Sequence, residues 1–286
     1  MTVLVLLPLF NDENRILRAL ESVMKQSDVE IVLYILDNNS SDNSLSILKN
    51  YSNYENVKIH KNDITLRPYE NWLKVYALAI NERFTHVCYI ASDDYWGAPD
   101  YLKNMLEIFS ANHGTEVVFP NFIKFSTKFI NPTEVYQLRA DTPNSVIRRG
   151  LLLGNWTYVY LNYALFSADF FDQIMKRKFS KFSNYIGSDW WLTYEILRST
   201  TPRYCNSATY YKDSDQNLKA NELSRIRIVL YYLSFPHRHV LLEIRRFQFR
   251  DVLDFILIYI WSVIFGIIKI YLLANNYFFK LLRIRR

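Results

Sequence analysis

Short apolar runs and amphipathic stretches alternate through residues 1–95. Val3–Leu7 is apolar throughout and is followed by Pro8, which predicts a buried strand closed by the proline. Glu13–Gln26 carries Ile16, Leu17, Leu20, Val23 and Met24 at helical spacing. Ile31–Leu36 predicts a second strand, ending at the polar run Asp37–Asp42, and a helix follows over Asn43–Asn50. Val57–His60 reads as a third strand, Tyr69–Asn81 as a helix and Val87–Ala91 as a fourth strand. Buried strands joined in turn by helices predict an α/β fold with a parallel sheet covered on both faces. Ligands of such sheets bind beyond the carboxyl ends of the strands. Three of those ends carry polar clusters, Asn11–Glu13, Asp37–Asp42 and Ser92–Asp94, so the pattern brings them to one edge.

The pattern from Val117 to about Tyr211 is less regular, with aromatic alternation over Asn155–Asp169 and a helix start over Asp189–Leu197. After Lys212 the character changes. Asp213–Asn221 is polar and reads as a connector. Leu223, Ile226, Leu230 and Leu233 mark an amphipathic helix stopped by Pro236, and Val240, Ile244 and Phe247 mark another. Phe255–Ala274 holds a single charge, Lys269, and has the length of a membrane span. The expected organisation is a catalytic domain over 1–212 and a helical tail over 213–286.

Composition changes this picture in two places. With 22 Tyr, 19 Phe and 6 Trp in 286 residues the chain can bury a large core, so disorder is excluded. The two cysteines, Cys88 and Cys205, are too few for a disulfide framework or a cysteine-only zinc site, and fit a reducing compartment. The net charge of +6 is uneven: Lys219–Arg286 has twelve Lys/Arg against four Asp/Glu, leaving residues 1–218 slightly acidic. A basic, apolar tail points to an anionic membrane surface rather than to nucleic acid. Thr2–Phe10 lacks the basic start of a signal peptide.

The candidate chemistry is mostly carboxylate. Asp93 and Asp94 are adjacent at the end of a predicted strand, a pair that repels unless a cation or proton relieves it. A hard divalent ion does this, and so does a helix cap or a solvated turn. Asp37 can accept hydrogen bonds from a nucleobase or ribose, or close an Asx turn with Asn38, Asn39 and Ser40. Asn11, Asp12 and Glu13 follow the first strand and suit helix capping. Arg67 and Asn71 lie one turn apart, and Arg67 can face a diphosphate or stand on the surface. Asp189, beside Trp190 and Trp191, is either a general base or an N-cap. The five histidines show no metal-ligand spacing, and no Gly-rich phosphate loop or nucleophile elbow is present.

Taken in order, these segments resemble family 2 glycosyltransferases of the GT-A fold. Val3–Glu13 resembles the family's first strand with its P-x-[YF]-N-x-E ending. Asp37-Asn38-Asn39-Ser40-Ser41-Asp42 resembles the D-[DN]-x-S-x-D turn. Ala91-Ser92-Asp93-Asp94-Tyr95-Trp96, then Pro99-Asp100-Tyr101-Leu102, resembles the metal segment, and Gly187-Ser188-Asp189-Trp190 resembles the segment holding the base. The resemblance covers residues 1 to about 212. It implies a Rossmann-like, mostly parallel sheet and inverting transfer from a nucleotide-diphosphate sugar, UDP-linked by family habit. It further implies that Mn2+ or Mg2+ is held at Asp93 and Asp94, with Asp94 the favoured ligand and Asp93 on the ribose or sharing the ion. Asp189 is then the base. Pro8, Leu9, Phe10, Asn11, Glu13, Asp37, Asn39, Arg67, Asn71, Ser92 and Asp93 hold the nucleotide sugar, and Trp156, Trp190 and Trp191 stack on sugar or pack the core.

Two departures stand out: Ala91 replaces the first carboxylate of the usual D-x-D, and Ser188 the usual Glu. The first leaves a catalytically degenerate nucleotide-sugar-binding protein as the alternative. Nucleotide sugars being cytosolic, a single span would carry Lys280, Arg283, Arg285 and Arg286 outside, against the positive-inside rule. The expectation is therefore a monotopic or peripheral tail on the cytoplasmic face of the inner or plasma membrane, with a lipid-linked glycan as acceptor. The alternative for the tail is burial against the body or against a second copy of the chain.

Overall fold

A computed structural model describes residues 1–125, 134–136, 162–182, 192–193, 196–197 and 199–213. All belong to one compact unit, Met1–Leu151 with Trp156–Gln216. The whole expected tail beyond residue 213 lies outside the described residues. Among the described residues no helix is long and apolar enough to cross a membrane.

The strands are β1 (Thr2–Leu9), β2 (Glu30–Asp37), β3 (Val57–Lys61), β4 (His86–Tyr89), β5 (Tyr95–Trp96), β6 (Val117–Phe125), β7 (Glu134–Tyr136), β8 (Leu165–Ser167) and β9 (Arg203–Asp213). They form one sheet in the order β3-β2-β1-β4-β8-β6-β9-β5, with β7 on β6. β1 to β4 run parallel, β8 runs against its neighbours β4 and β6, and β9 runs parallel to β6. β5 and β7 are antiparallel additions. The expected α/β fold with a mostly parallel sheet is therefore present.

The helices are α1 (Ile16–Met24), α2 (Ser44–Lys49), α3 (Pro68–Ala79), α4 (Tyr101–Ala111) and α5 (Ala168–Phe182). On α1 the buried face is Ile16, Ala19, Leu20 and Val23, the i, i+3, i+4, i+7 stripe of a helix lying on a sheet. Every residue of Val3–Leu7 is buried, as a strand covered on both faces requires.

Pro8 does not close β1, which runs on to Leu9. The alternation of backbone groups explains why. Thr2 and Leu6 accept from Thr85 and Ile90 on the β4 side, whereas Leu9 accepts from Asn38 on the β2 side. Pro8 shares the parity of Thr2 and Leu6, so its missing N–H falls on the β4 side only. The β1–β2 ladder continues through Pro8↔Leu36, while β1–β4 stops at Leu6↔Tyr89. The chain after β4 is thereby free to leave the sheet, and it leaves at Ile90–Asp94.

Candidate active site

Parallel pairing of β1, β2 and β4 brings the three polar strand ends to one edge, as the pattern of residues predicts. Leu9 is in register with Asp37. Asn38 N–H donates to the Leu9 carbonyl and Asn62 N–H to the Asp37 carbonyl, both at 2.8 Å, extending the ladders just past the strand ends.

On the β1–β3 side the loops clasp one another through short polar side chains. Asn11, at φ 48°, donates its N–H to Ser40 Oγ at 2.9 Å, and its Oδ1 accepts from Ser41 N–H at 2.8 Å. Asp12 N–H donates to Ser44 Oγ at 3.0 Å and Glu13 N–H to Asp42 Oδ2 at 3.0 Å. Glu13 Oε2 in turn accepts from Asn43 N–H at 2.7 Å. Asp37 is fully buried and its carboxylate accepts the Ser40 N–H at 3.1 Å, three residues on, one residue further than the Asx turn the sequence suggests. Asn39 takes φ 62°, the left-handed conformation that Asn tolerates. Asn11 and Glu13 thus spend their side chains on holding the loop that carries Asp37.

Behind that loop sits a hub of amides. Asn62 Nδ2 donates to Asn38 Oδ1 at 2.9 Å and to Asn71 Oδ1 at 2.8 Å. Asn38 also bonds Leu66 in both directions, and Asn71 Nδ2 reaches the Leu36 carbonyl at 3.3 Å. Asn71 is 3% exposed, so it braces α3 against β2 rather than facing solvent. Arg67 is exposed at the N-cap of α3, where its N–H donates to Glu70 Oε2 at 3.1 Å. Phe10 is 48% exposed at the end of β1, Leu9 is buried and Pro8 is half-buried.

The β4 side is built from charges. Ser92 Oγ donates to Asp12 Oδ2 at 2.6 Å, and Arg15 Nε to Asp12 Oδ1 at 2.5 Å. The Arg15 guanidinium also lies 3.7 Å from Asp93 Oδ2. Burial raises the Asp12 carboxyl above its ordinary value, with Ser92 and Arg15 opposing and Asp93 adding to the rise. Asp94 is fully buried and both its oxygens are engaged. Oδ1 accepts Asp213 N–H at 2.9 Å, and Oδ2 accepts Tyr210 OH at 2.9 Å and Lys212 Nζ at 3.0 Å. Burial pushes its pKa up to about 6; Lys212 works against that rise, and the neighbouring Asp93 charge adds to it. Among the described residues no group of three or more His, Cys, Asp or Glu is placed to hold a metal ion.

Of the residues singled out in the sequence, those from Pro8 to Asp94 gather at this edge, while Trp156, Asp189, Trp190 and Trp191 lie outside the described residues. Sequence reasoning missed Arg15, Arg18, Asn62, Lys212 and Asp213. Arg15 and Arg18 carried a signal: cations around the first turn of a helix oppose its dipole, so a nearby anion should compensate them. Lys212 and Asp213 carried none, since only the sheet brings them to Asp94.

Among solved structures, three S. aureus structures share this fold. TarS 1-349 aligns with a TM-score of 0.55 at 19% identity, covering 82% of this chain and 66% of that one. Longer TarS aligns at 0.57 and 18%, covering 82% and 40%. TarS 1-349 in complex with UDP-GlcNAc aligns at 0.57 and 18%, covering 76% and 60%. The chain therefore spans less than two thirds of the length of the structures it matches. No curated protein sequence is a significant match. The sequence profile of Glycosyl transferase family 2 matches residues 4–197, well over half of the chain, and the GT-A-like sheet with its acidic edge agrees: the chain belongs to glycosyl transferase family 2.

Proposed function

We propose that the chain is an inverting, metal-dependent transferase that moves a hexosyl or N-acetylhexosaminyl group from a UDP-sugar to a hydroxyl of a lipid-linked glycan in surface polysaccharide synthesis. The carrying observation is that Phe10, Asp37 and Asp93 share the edge where β1, β2 and β4 end, inside the family-matched segment. That S. aureus TarS 1-349 has been solved with UDP-GlcNAc and with UDP supports a UDP-linked donor.

Each residue then has a task. Asp37, held by the Ser40 N–H, accepts from the uracil or ribose, and Phe10 offers an exposed ring beside it. Arg15 and Arg67 face the diphosphate. Asp93, rather than the Asp94 that the resemblance favours, is the better metal ligand of the acidic pair, because the three donors on Asp94 already occupy both of its oxygens. One carboxylate with phosphate and water oxygens is an ordinary Mg2+ or Mn2+ site, so the residues present fit such an ion. When bound, the ion supplies positive charge beside the departing diphosphate. Asp189 takes the proton of the acceptor hydroxyl as its oxygen bonds to the anomeric carbon. The bond from that carbon to the diphosphate oxygen breaks on the opposite face, inverting the configuration.

The basic, apolar segment beyond residue 213 supports a tail seated on the cytoplasmic face of the inner or plasma membrane, beside a lipid-linked acceptor. If salt alone releases the protein from membranes, insertion of the tail is refuted.

The central test is a panel of nucleotide sugars with Mn2+, read by melting shift and by donor hydrolysis. One donor class is expected to raise the melting temperature, and chelator to abolish the rise. Asp189→Asn is expected to keep the shift and lose turnover, whereas a catalytically degenerate binding protein shows the shift without turnover in either form. Absence of a shift with every donor overturns the reading.

A further inference from the structure

The family-matched segment ends at residue 197, yet the groups that hold the acidic pair come from β9, at 203–213. Arg18 joins the two. Its Nη2 donates to the main-chain carbonyl of Asp93 at 2.9 Å and to Asp213 Oδ2 at 3.1 Å. A guanidinium –NH2 has two hydrogens, so both bonds form at once. The guanidinium carbon lies 4.7 Å from the Tyr95 ring centroid and 4.6 Å from that of Phe125, close enough for cation–π attraction to both. Its Nε is buried and has no hydrogen-bond partner among the described residues. Such a cation is held for its position, because Nε gives up water without a replacement bond.

Asp213 closes the circuit. Its side chain is fully buried against Arg18, and its own N–H donates to Asp94 Oδ1 at 2.9 Å. Beyond the acidic pair, β5 zips onto β9, with Tyr95 stacked flat on Tyr211 at 4.7 Å and 2° between the rings. Gly97 leaves room for that stack, since a Cβ there would meet Tyr211 Cε2 at 2.7 Å. The segment 91–97 is thus fastened to β9 at its amides, its carboxylate and its rings, and to α1 through one guanidinium.

We propose that Arg18 is a positioning residue: clamped by Asp213, it fixes the backbone of Asp93 and so aims the Asp93 carboxylate at the donor. The proposal rests on the reading of Asp93 given above, and its test has one readout that does not. Arg18 acts on Asp93 from behind, as outer-shell partners of metal ligands do. Loss of such a partner lowers metal affinity or activity by roughly 10–100-fold.

The test compares wild type, Arg18→Met and Arg18→Lys of the full chain. Hydrogen exchange without ligand is expected to rise at 91–97 and 210–213 in Arg18→Met and to stay near wild type in the rest of the sheet. UDP affinity in the presence of Mn2+ is expected to fall by roughly 10–100-fold. Arg18→Lys keeps a charge but loses the fork, and should recover part of each effect. If Arg18→Met does not fold, Asp213→Asn takes its place, because it removes the charge and keeps the N–H to Asp94. Unchanged exchange at 91–97, or exchange raised uniformly with UDP affinity intact, overturns the proposal. If wild type itself binds no UDP, the functional reading falls and the exchange pattern alone decides whether the clamp exists.

Discussion

The two halves of the site edge are fastened by different physics. Around β1 to β3, Asn11, Asn38, Asn62 and Asn71 bond to neighbouring backbone and to one another, and most of these bonds are neutral. Around β4, the fasteners are Asp12 with Arg15, Asp94 with Lys212 and Asp213 with Arg18. Losing one partner of a buried neutral bond costs about 1–3 kcal/mol, whereas stranding a buried ion costs about 3–5 kcal/mol. The β1–β3 half should therefore be the more robust of the two, and rigid before any ligand binds. The acidic half should be sensitive, because Asp94 and Asp213 each depend on a particular cation from a distant part of the chain.

The largest expected effect follows from that dependence. Lys212→Met leaves Asp94 buried with no cation, and breaking a buried pair in this way costs about 3–5 kcal/mol. Urea unfolding should show this loss, and the double variant Asp94→Asn with Lys212→Met should recover most of it. With Asp94→Asn alone as the fourth corner, the cycle gives the coupling energy of the pair. A loss below about 1 kcal/mol would mean the pair behaves like an exposed one and would erase the contrast between the halves.

The same contrast explains what the sequence shows of the molecule and what it hides. Val3–Leu7 and Ile31–Leu36 are apolar without a break, and such runs become strands wherever a sheet is covered on both faces. The convergence of Asn11, Asp37 and Asp93 then follows from alternation with helices alone. Finer matters depend on packing: Leu17 fits the apolar rhythm of α1 and is nonetheless 47% exposed, while Ala19 lies inside. Division of labour within the acidic pair was not legible at all. Lys212 stands 118 residues from Asp94, and Asp213 stands 195 from Arg18. Only the β5–β9 and β6–β9 pairings bring them together, and nothing in the local pattern announces those pairings.

A smaller effect is expected from the neutral half. Asn62→Ala removes two buried bonds, to Asn38 and Asn71, in a group whose own Oδ1 has no hydrogen-bond partner among the described residues. Removing that orphaned oxygen offsets part of the loss, so the cost should sit near the low end of about 1–3 kcal/mol. Hydrogen exchange at 62–71 should rise while 91–97 stays unchanged. A rise at both would show that the halves are one cooperative unit.

The smallest effect lies at the opposite end of β4 and reports on the acidic half through its pH dependence. His86 is buried, with Thr85 Oγ1 2.9 Å from its Nδ1 and the Phe109 ring at 4.4 Å. Burial first, then the amino terminus, hold its pKa down to about 4 from 6.5. Between those values the unfolded chain takes up a proton that the folded chain refuses, so stability is lost as pH falls through that window. Asp94 works in the other direction. Its carboxyl is raised to about 6, so the folded chain binds its proton before the unfolded chain does, and this contribution grows as pH falls. The two nearly cancel, and wild type should change by less than about 1 kcal/mol between pH 6.5 and 4, with His86 discounted for its partial exposure to solvent. His86→Phe should leave a rise in stability as pH falls through that window, and Asp94→Asn should leave a fall. Urea midpoints at several pH values would read both changes. Were Asp94→Asn to leave the slope as it is in wild type, the Asp94 carboxyl would titrate like an exposed one, and the acidic half would owe its sensitivity to Arg15 and Arg18 alone.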